Sequence, residues 1–249
     1  FSERTRTVKE IKSLGKKVSI DGNEYDFVID CRGYPEDYSN YIVTDKVYLN
    51  SGIVVKSSTP GDWDYTYHIA HKHGWMFGIP LQKTTGWGYL YNSDITSELE
   101  AQSNLVDILE EYQVEYLSQN CREFSFKNYY AKSVMNEDGN IFVNGNRALF
   151  LEPIQATSLG CYGLINEMII DRIENDVYDN ENYLKIMTEV IAFINLHYYN
   201  GSDFDTPFWN MAKQGARKLF EGRDVSKYDW NHILDWNLQF RRQMFDNFL

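Results

Sequence analysis

The chain has 249 residues, a formal net charge of −12 and a pI near 4.9. This acidic balance argues against a surface for nucleic acid or for an anionic membrane, because binding phosphate groups requires clustered Lys and Arg. No apolar run is long enough to span a bilayer. The length allows either one large domain or two lobes that share an interface.

Residues 16–33 predict a β-hairpin, because an Asp21-Gly22 turn separates two runs rich in β-favouring residues. The second run extends to Asp30, and Gly33 follows it closely. An Asp and a Gly after a strand allow the backbone to approach a ligand, although ordinary turns use the same residues.

Residues 41–57 and 74–93 predict further strands of an antiparallel sheet. Residues 97–116 have the spacing of a helix, which Ser97 can cap. The apolar face of this helix is predicted to contain Leu99, Leu105, Ile108 and Leu109.

Strand character returns over residues 124–150, and from about Ser158 the pattern is almost entirely helical. The sequence therefore predicts an α+β fold with a sheet-rich part over residues 1–155 and a helical part over residues 156–249. The three cysteines, Cys31, Cys121 and Cys161, are widely spaced and predict reduced thiols of a cytoplasmic protein. The last two lack the neighbours of a reactive thiolate and are predicted to lie in the core.

Three histidines, His68, His71 and His73, raise the question of a metal site. On an extended strand His71 and His73 share a face, whereas His68 points away from it. Neither a cysteine nor a carboxylate is placed nearby to complete a site with four ligands. A polar strand edge is the better interpretation, so no metal site is predicted.

The 150–160 junction, FLEPIQATSLG, places an acid, a proline, an amide and two hydroxyls between a strand-like and a helix-like run. The hydroxyls of Thr157 and Ser158 come just before the apolar helix. Free backbone N–H groups at such a helix start can bind an anion. Ser and Thr also cap helices that bind nothing, so an ordinary cap remains the alternative. Glu152 and Gln155 crowd the same turn.

Four segments together resemble the flavin-dependent tryptophan halogenases, a family with the fold of the FAD monooxygenases. Residues 73–93 resemble the W-x-W-x-I-P segment and the glycine-bearing strand after it. Residues 145–160 resemble G-x-A-x-F-x-E-P-L-E-S-T, and residues 26–34 resemble the strand and D-x-x-G turn that approach FAD. Residues 193–209 resemble a late helix followed by T-P-F-W. The segments occur in the family's order and span nearly the whole chain.

This resemblance implies an α/β flavoprotein type of α+β fold, in which an antiparallel substrate sheet precedes a helical C-terminal part. In the family a G-x-G-x-x-G loop and an essential lysine lie upstream of the segment that resembles residues 26–34. Neither occurs in this chain, which is therefore expected to be the C-terminal half or more of a longer enzyme. Lys83 does not match that lysine.

The activity that the resemblance implies uses reduced FAD, oxygen and a halide ion, and a separate flavin reductase supplies the reduced FAD. The halide is thereby converted to hypohalous acid. This oxidant passes through the protein towards the lysine and an electron-rich, indole-like aromatic substrate. The protein then mainly positions and contains a reactive oxidant. The expected partners are a small aromatic substrate and the reductase, and a homo-oligomer remains open.

Carried over by resemblance, Thr157 and Ser158 match positions beside the halide, and Leu159 matches a position beside the flavin. Gly145 and Asn146 match a glycine–acid pair near the ribityl chain and pyrophosphate of FAD, with an amide replacing the acid. Asp30 and Gly33 belong to the turn that approaches FAD and complete the predicted cofactor-binding residues.

Trp75 matches the tryptophan that screens the flavin from the substrate, and Phe77 replaces the family's second tryptophan. Gln155 stands where the family has its catalytic glutamate. A glutamine still forms hydrogen bonds, but it cannot stabilise a cationic intermediate as a carboxylate does. Glu152 is the nearest remaining carboxylate, and it is either a second catalytic candidate or a structural part of the E-P turn.

Two other functions remain open from the sequence. A flavin monooxygenase with the same fold would hydroxylate or epoxidise an aromatic substrate without a halide. A weakly active FAD-binding homologue would serve as a binding or assembly module. Halide dependence separates the first of these from a halogenase, and oxygen consumption with reduced flavin separates the second.

Overall fold

The computed structural model of the protein describes residues 7–116 and 121–225. The strands in these residues are β1 (Ile11–Ser13), β2 (Val18–Ile20), β3 (Asn23–Tyr25), β4 (Val28–Asp30), β5 (Tyr41–Val43), β6 (Ser51–Lys56), β7 (Tyr67–His71), β8 (Gly74–Pro80), β9 (Thr85–Tyr91), β10 (Arg122–Ser125), β11 (Tyr129–Ala131), β12 (Ile141–Val143) and β13 (Leu149–Phe150). The helices are α1 (Glu98–Glu111), α2 (Thr157–Asn175), α3 (Asn180–Tyr199) and α4 (Pro207–Leu219).

The chain divides into two compact units, each built from segments that are distant in sequence. Among the described residues, the first unit contains 7–43 and 129–188. The second unit contains 44–116, 121–128 and 189–225. Both units therefore combine strands with helices.

The change from sheet to helix falls where the sequence places it, because β13 is the last strand of the described residues and α2 follows at Thr157. The α+β fold is thus confirmed. The assignment of residues 1–155 and 156–249 to separate parts remains a prediction, since each compact unit contains residues from both sides of this boundary.

The first unit contains two antiparallel sheets and one parallel pair of strands. The antiparallel sheets have the orders β1-β2-β3 and β13-β11-β5, and β12 pairs in parallel with β4. The predicted hairpin is confirmed, with φ of 49° at Asp21 and 84° at Gly22, as a tight hairpin turn requires. Its second run is not one strand, because β3 ends at Tyr25 and β4 joins the parallel pair instead.

The second unit is built on one antiparallel sheet in the order β10-β6-β9-β8-β7, which confirms the sheet predicted for residues 74–93. Two glycines let aromatic rings lie flat over a neighbouring strand. A Cβ atom on Gly88 would lie 2.0 Å from the Phe77 ring, and one on Gly78 would lie 2.4 Å from the Trp87 ring. Larger residues at these glycines would displace the rings.

Helix α1 covers one face of this sheet. Ser97 caps it, and Glu100 returns a bond to the backbone of Ser97, forming a capping box. The helix ends at Glu111 rather than at residue 116. The prediction that Leu99 belongs to the apolar face is wrong, because its side chain is 75% exposed. Ala101 is buried in the core instead.

The later helices follow the predicted amphipathic runs. Thr206 caps α4 through the backbone N–H of Trp209, and Pro207 occupies the first turn. Cys161 on α2 is buried as predicted, whereas Cys121 is exposed, which corrects its predicted place in the core. No helix in residues 7–116 and 121–225 is sufficiently long and apolar to cross a membrane.

Candidate functional site

The backbone of the 150–160 junction is unusual, because two consecutive non-glycine residues adopt the left-handed conformation. Gln155 has φ 54° and ψ 23°, and Ala156 has φ 53° and ψ 32°. Each such residue costs roughly 1–2 kcal/mol, so the surrounding contacts must hold the turn in place. Helix α2 begins only after this turn, at Thr157, and not at the proline of the junction.

Both predicted halide-site hydroxyls are bonded to the turn itself. Thr157 Oγ1 donates to the carbonyl oxygen of Ile154 at 2.5 Å. Ser158 Oγ accepts from the backbone N–H of Leu151 at 3.2 Å and donates to the Leu151 carbonyl oxygen at 3.3 Å. Ser158 therefore connects the start of α2 to the residue that follows β13, whereas Thr157 bonds within the turn.

The first turn of α2 can still attract an anion through its backbone. No side chain caps this helix start in the described residues, since its cap position is Ala156. The first N–H groups of a helix lack partners within the helix and carry its positive dipole end. A small anion at this point would meet backbone N–H groups rather than the hydroxyls of Thr157 and Ser158.

The side chains around this turn differ sharply in accessibility. Glu152 is fully buried at 0% exposure, whereas Gln155 is half-buried. Gln155 forms no side-chain hydrogen bond to the described residues, so its amide can bind a ligand. Leu159 is 65% exposed in the first turn of α2 and offers an apolar surface to a planar ring.

Asp30 lies at the end of β4 in a network that the sequence reasoning missed. Arg32 donates to both of its carboxylate oxygens at 2.9 Å, and Arg147 Nε lies 3.5 Å from Oδ2. Burial acts to raise the pKa of Asp30, but the hydrogen bonds from Arg32 and the charges of both arginines outweigh it, so the pKa is lowered. Asp30 is therefore an anion that holds two guanidinium groups. The contact of Asp30 with Arg32 could have been predicted from the sequence, since the two residues are two positions apart. No residue near Asp30 in the sequence indicates its contact with Arg147.

Gly33 and Gly145 leave open space beside the backbone. Their φ values are 57° and 59°, a region that favours glycine. A Cβ atom on Gly33 would meet nothing within 4 Å, and one on Gly145 would lie 4.0 Å from the Cβ of Cys31. A ligand can therefore approach the main chain closely at both glycines.

Asn146 is held by tyrosines rather than exposed freely. Tyr162 donates to Asn146 Oδ1 at 2.6 Å, and the Tyr129 hydroxyl donates to the Asn146 carbonyl oxygen. Burial raises the pKa of Tyr162 to about 12, so it remains a neutral donor at neutral pH. These bonds leave the amide nitrogen of Asn146 as a donor for a ligand, since it bonds to no described residue.

A cavity of about 620 Å³ lies in the first unit, beside the Asp30 network. Its lining includes Asp30, Arg147, Tyr41 and Lys132, but not the glycines or Leu159 of the predicted cofactor set. Lys132 also escaped the sequence reasoning, and its ammonium group donates to the carbonyl oxygen of Ser39 at 2.8 Å.

The second unit brings together the residues of the predicted aromatic screen. Trp75 and Phe77 lie on the same face of β8, with ring centroids 6.1 Å apart. His68 on β7 stacks against Trp75 at 5.4 Å and an interplanar angle of 24°. We call these three residues the aromatic wall.

His71, at the end of β7, has a packing role. His71 is buried and stacks on Tyr89 with ring centroids 3.8 Å apart, while its Nδ1 accepts from the backbone N–H of His73 at 3.2 Å. Burial lowers the pKa of His71 to about 3, so the ring is neutral at neutral pH. Across the described residues, no group of three or more His, Cys, Asp or Glu could hold a metal ion.

Comparison with protein families gives one match that covers most of the chain. The family model described as tryptophan halogenase matches residues 5–223. Tryptophan 7-halogenase RebH of Lentzea aerocolonigenes is 25% identical over 208 residues, covering 76% of this chain and 38% of the relative. Tryptophan 6-halogenase SttH of Streptomyces toxytricini is 23% identical over 209 residues, covering 77% of this chain and 39% of the relative. The chain spans about two fifths of the length of these curated relatives.

Solved structures with similar folds include two halogenases. A flavin-dependent halogenase from Xanthomonas campestris superposes with a TM-score of 0.65 at 22% identity, covering 86% of this chain and 48% of that chain. A tryptophan halogenase from Shewanella frigidimarina NCIMB 400 gives 0.62 at 21% identity, covering 84% and 44%. At this level of identity the likeness establishes a shared fold.

Proposed function

Because the chain belongs to the tryptophan halogenase family, we propose that the protein is an FAD-dependent halogenase of an electron-rich, indole-like aromatic substrate. The family match over residues 5–223 carries this proposal. The geometry of the first unit supports it, because an uncapped helix start, open glycines and a cationic network occur together there. A halide and a small aromatic molecule are the proposed substrates, and a separate flavin reductase is the proposed partner.

The residues of the first unit are suited to hold FAD. When bound, reduced FAD supplies the activation of oxygen by which a halide becomes an electrophilic halogenating agent. FAD could approach the main chain closely at Gly33 and Gly145, because neither residue has a Cβ atom. Arg32 and Arg147 would offset the charge of its pyrophosphate, and Leu159 would contact the flavin ring.

The halide is assigned to the start of α2. The backbone N–H groups of its first turn and the positive end of its dipole favour a small anion. Ser158 acts here through its main-chain N–H, because its hydroxyl is already bonded to Leu151. Thr157 acts by shaping the turn, since both its N–H and its hydroxyl donate to the carbonyl oxygen of Ile154. Their side chains keep the turn in the shape that presents those N–H groups.

Gln155 and Glu152 take different parts in this proposal. Gln155 presents an accessible amide that can orient the substrate by a hydrogen bond, although it supplies no negative charge. Glu152 is fully buried and therefore supports the turn rather than contacting the substrate. Trp75 and Phe77 are proposed to screen the flavin from the substrate, which discourages direct oxygenation.

The test is mass spectrometry of reactions that contain the protein, FAD, a flavin reductase, oxygen and bromide with a panel of indoles, phenols and pyrroles. A product with the two-line bromine isotope pattern, absent without the protein, is the expected result. Oxygenated products without bromine would overturn the halogenase and establish the monooxygenase. Bound flavin without any product would favour a binding module.

A pair of variants locates the chemistry within the first unit. Gln155→Glu restores a carboxylate, so we expect it to change product yield or the position of bromination. Gln82→Glu, the same change at an exposed position between β8 and β9, serves as the control. Identical kinetics and products for Gln155→Glu and the unchanged protein would remove Gln155 from the substrate site.

A further inference from the structure

The indole of Trp75 is buried without a hydrogen bond to hold it in the described part of the chain. Its side chain is 4% exposed, and its Nε1 has no hydrogen-bond partner among the described residues. A buried indole N–H normally has a partner that fixes the ring. The orientation of Trp75 must therefore come from the rings and side chains packed against it.

His68 is placed to supply that orientation. In the β7–β8 register His68 lies opposite Phe77, and Ala70 lies opposite Trp75, so His68 and Trp75 form a diagonal pair on one sheet face. The small side chain of Ala70 leaves room for the two rings to stack at 5.4 Å and 24°. Phe77 contacts Trp75 from along its own strand and is seated over Gly88.

The chemistry of His68 suits a stacking role. Its ring lies at the surface of the edge strand and forms no hydrogen bond to the described residues. Burial lowers the pKa of His68, which favours the uncharged ring, and an uncharged ring can stack as a flat aromatic surface. The neighbouring His197 is also neutral, since burial lowers its pKa to about 4.

We propose that His68 is a positioning residue, which sets the plane of the Trp75 indole and thereby the quality of the aromatic screen. This inference rests on the proposed function, because Trp75 separates flavin from substrate only if the protein is a halogenase. If the indole tilts, the screen opens and the substrate can reach the flavin, so oxygenated product forms at the expense of halogenated product.

The experiment compares His68→Ala with His68→Phe, which keeps a flat ring without the nitrogens. His73→Ala is the matched control, because His73 makes no ring contact with Trp75 and instead lies 3.2 Å from Thr96 Oγ1. Near-ultraviolet circular dichroism is recorded for each variant, and the contribution of Trp75 is defined by subtracting the spectrum of Trp75→Phe. This readout does not require activity.

We expect His68→Ala to lose most of the Trp75 signal, His68→Phe to recover it, and His73→Ala to keep it. In bromination reactions the ratio of brominated to oxygenated product should fall about tenfold in His68→Ala and recover in His68→Phe. An unchanged Trp75 spectrum in His68→Ala would overturn the positioning role. A changed spectrum with an unchanged ratio would overturn the link to the screen. If no variant and not even the unchanged protein brominates, the proposed function fails, while the spectra still decide the positioning role.

Discussion

The first and second units hold their candidate residues by different physical means. In the first unit the 150–160 junction and the Asp30 network depend on backbone conformation, charge and directed hydrogen bonds. In the second unit the aromatic wall depends on sheet register and on rings packed over glycines. Bonds and charges suit the binding of ions and phosphates, whereas packed rings suit the exclusion of water and the contact with flat molecules.

This difference determines which substitutions each unit tolerates. A charge network fails when one partner is removed, because the remaining charges lose their counter-ion. A packed wall fails when volume is added, because the interior has no room to absorb it. The four predictions below use that contrast, beginning with the largest expected effect.

Asp30→Asn should destabilise the first unit by about 3 kcal/mol, since it leaves Arg32 and Arg147 without their carboxylate. Urea unfolding followed by circular dichroism measures the change. Asp26→Asn is the control, because Asp26 pairs with Lys17 at the exposed surface and should change stability little. Equal losses in the free energy of unfolding for the two variants would show that the Asp30 network stabilises the protein no more than an exposed ion pair does.

Gly78→Ala should destabilise the second unit by about 2 kcal/mol, because the new methyl group meets the Trp87 ring at 2.4 Å. Gly86→Ala on the next strand is the matched control, since a Cβ there meets nothing within 4 Å. Thermal unfolding compares the two. If Gly78→Ala proves as stable as Gly86→Ala, the ring contact does not constrain this sheet.

Acid should weaken the second unit through His71. Its pKa is lowered to about 3 in the folded protein, against about 6.5 when unfolded, so the unfolded chain binds the additional proton. The stabilising contribution is therefore complete above pH 6.5 and is lost as the pH falls, by about 1 kcal/mol between pH 7 and 5.5. His71→Phe keeps a ring on Tyr89 and should flatten the pH dependence of unfolding. An identical pH dependence in this variant would contradict the neutral buried histidine.

Ala156→Gly should stabilise the first unit by roughly 0.5 kcal/mol, since the relief of left-handed strain exceeds the added entropy of the unfolded glycine. Ser103→Gly, at an exposed right-handed position of α1, should instead be slightly destabilising. Urea unfolding distinguishes the signs. Destabilisation by both variants would mean that Ala156 pays no conformational penalty in its turn.

The sequence predicted features whose causes are local. The Asp21-Gly22 turn and the Ser97 cap were readable because each depends on residues within a few positions. Helical spacing alone does not predict that Leu99 is exposed. Leu99 stands in the first turn, and the packing of α1 on the sheet buries Ala101 instead. Helical periodicity defines a face, but the partner of that face decides which residues are buried.

The candidate site shows the same limit more strongly. Family-like segments identified the 150–160 junction and the glycines, but Asp30 and Arg147 are 117 positions apart and nothing near either residue signals their contact. The left-handed pair was also hidden, since neither Gln nor Ala is a marker of that conformation. Long-range charge pairs and tolerated strain depend on the whole fold.

The two-way bond between Ser158 and Leu151 has a consequence for exchange with solvent. The amide hydrogen of Leu151 is protected by a side chain of α2 and not by a strand partner. It can exchange with deuterium only when the start of α2 detaches from the sheet, so its exchange rate measures the opening of this helix start. A halide bound at the first turn of α2 would slow that exchange in proportion to its occupancy, and one amide would then report binding without any turnover.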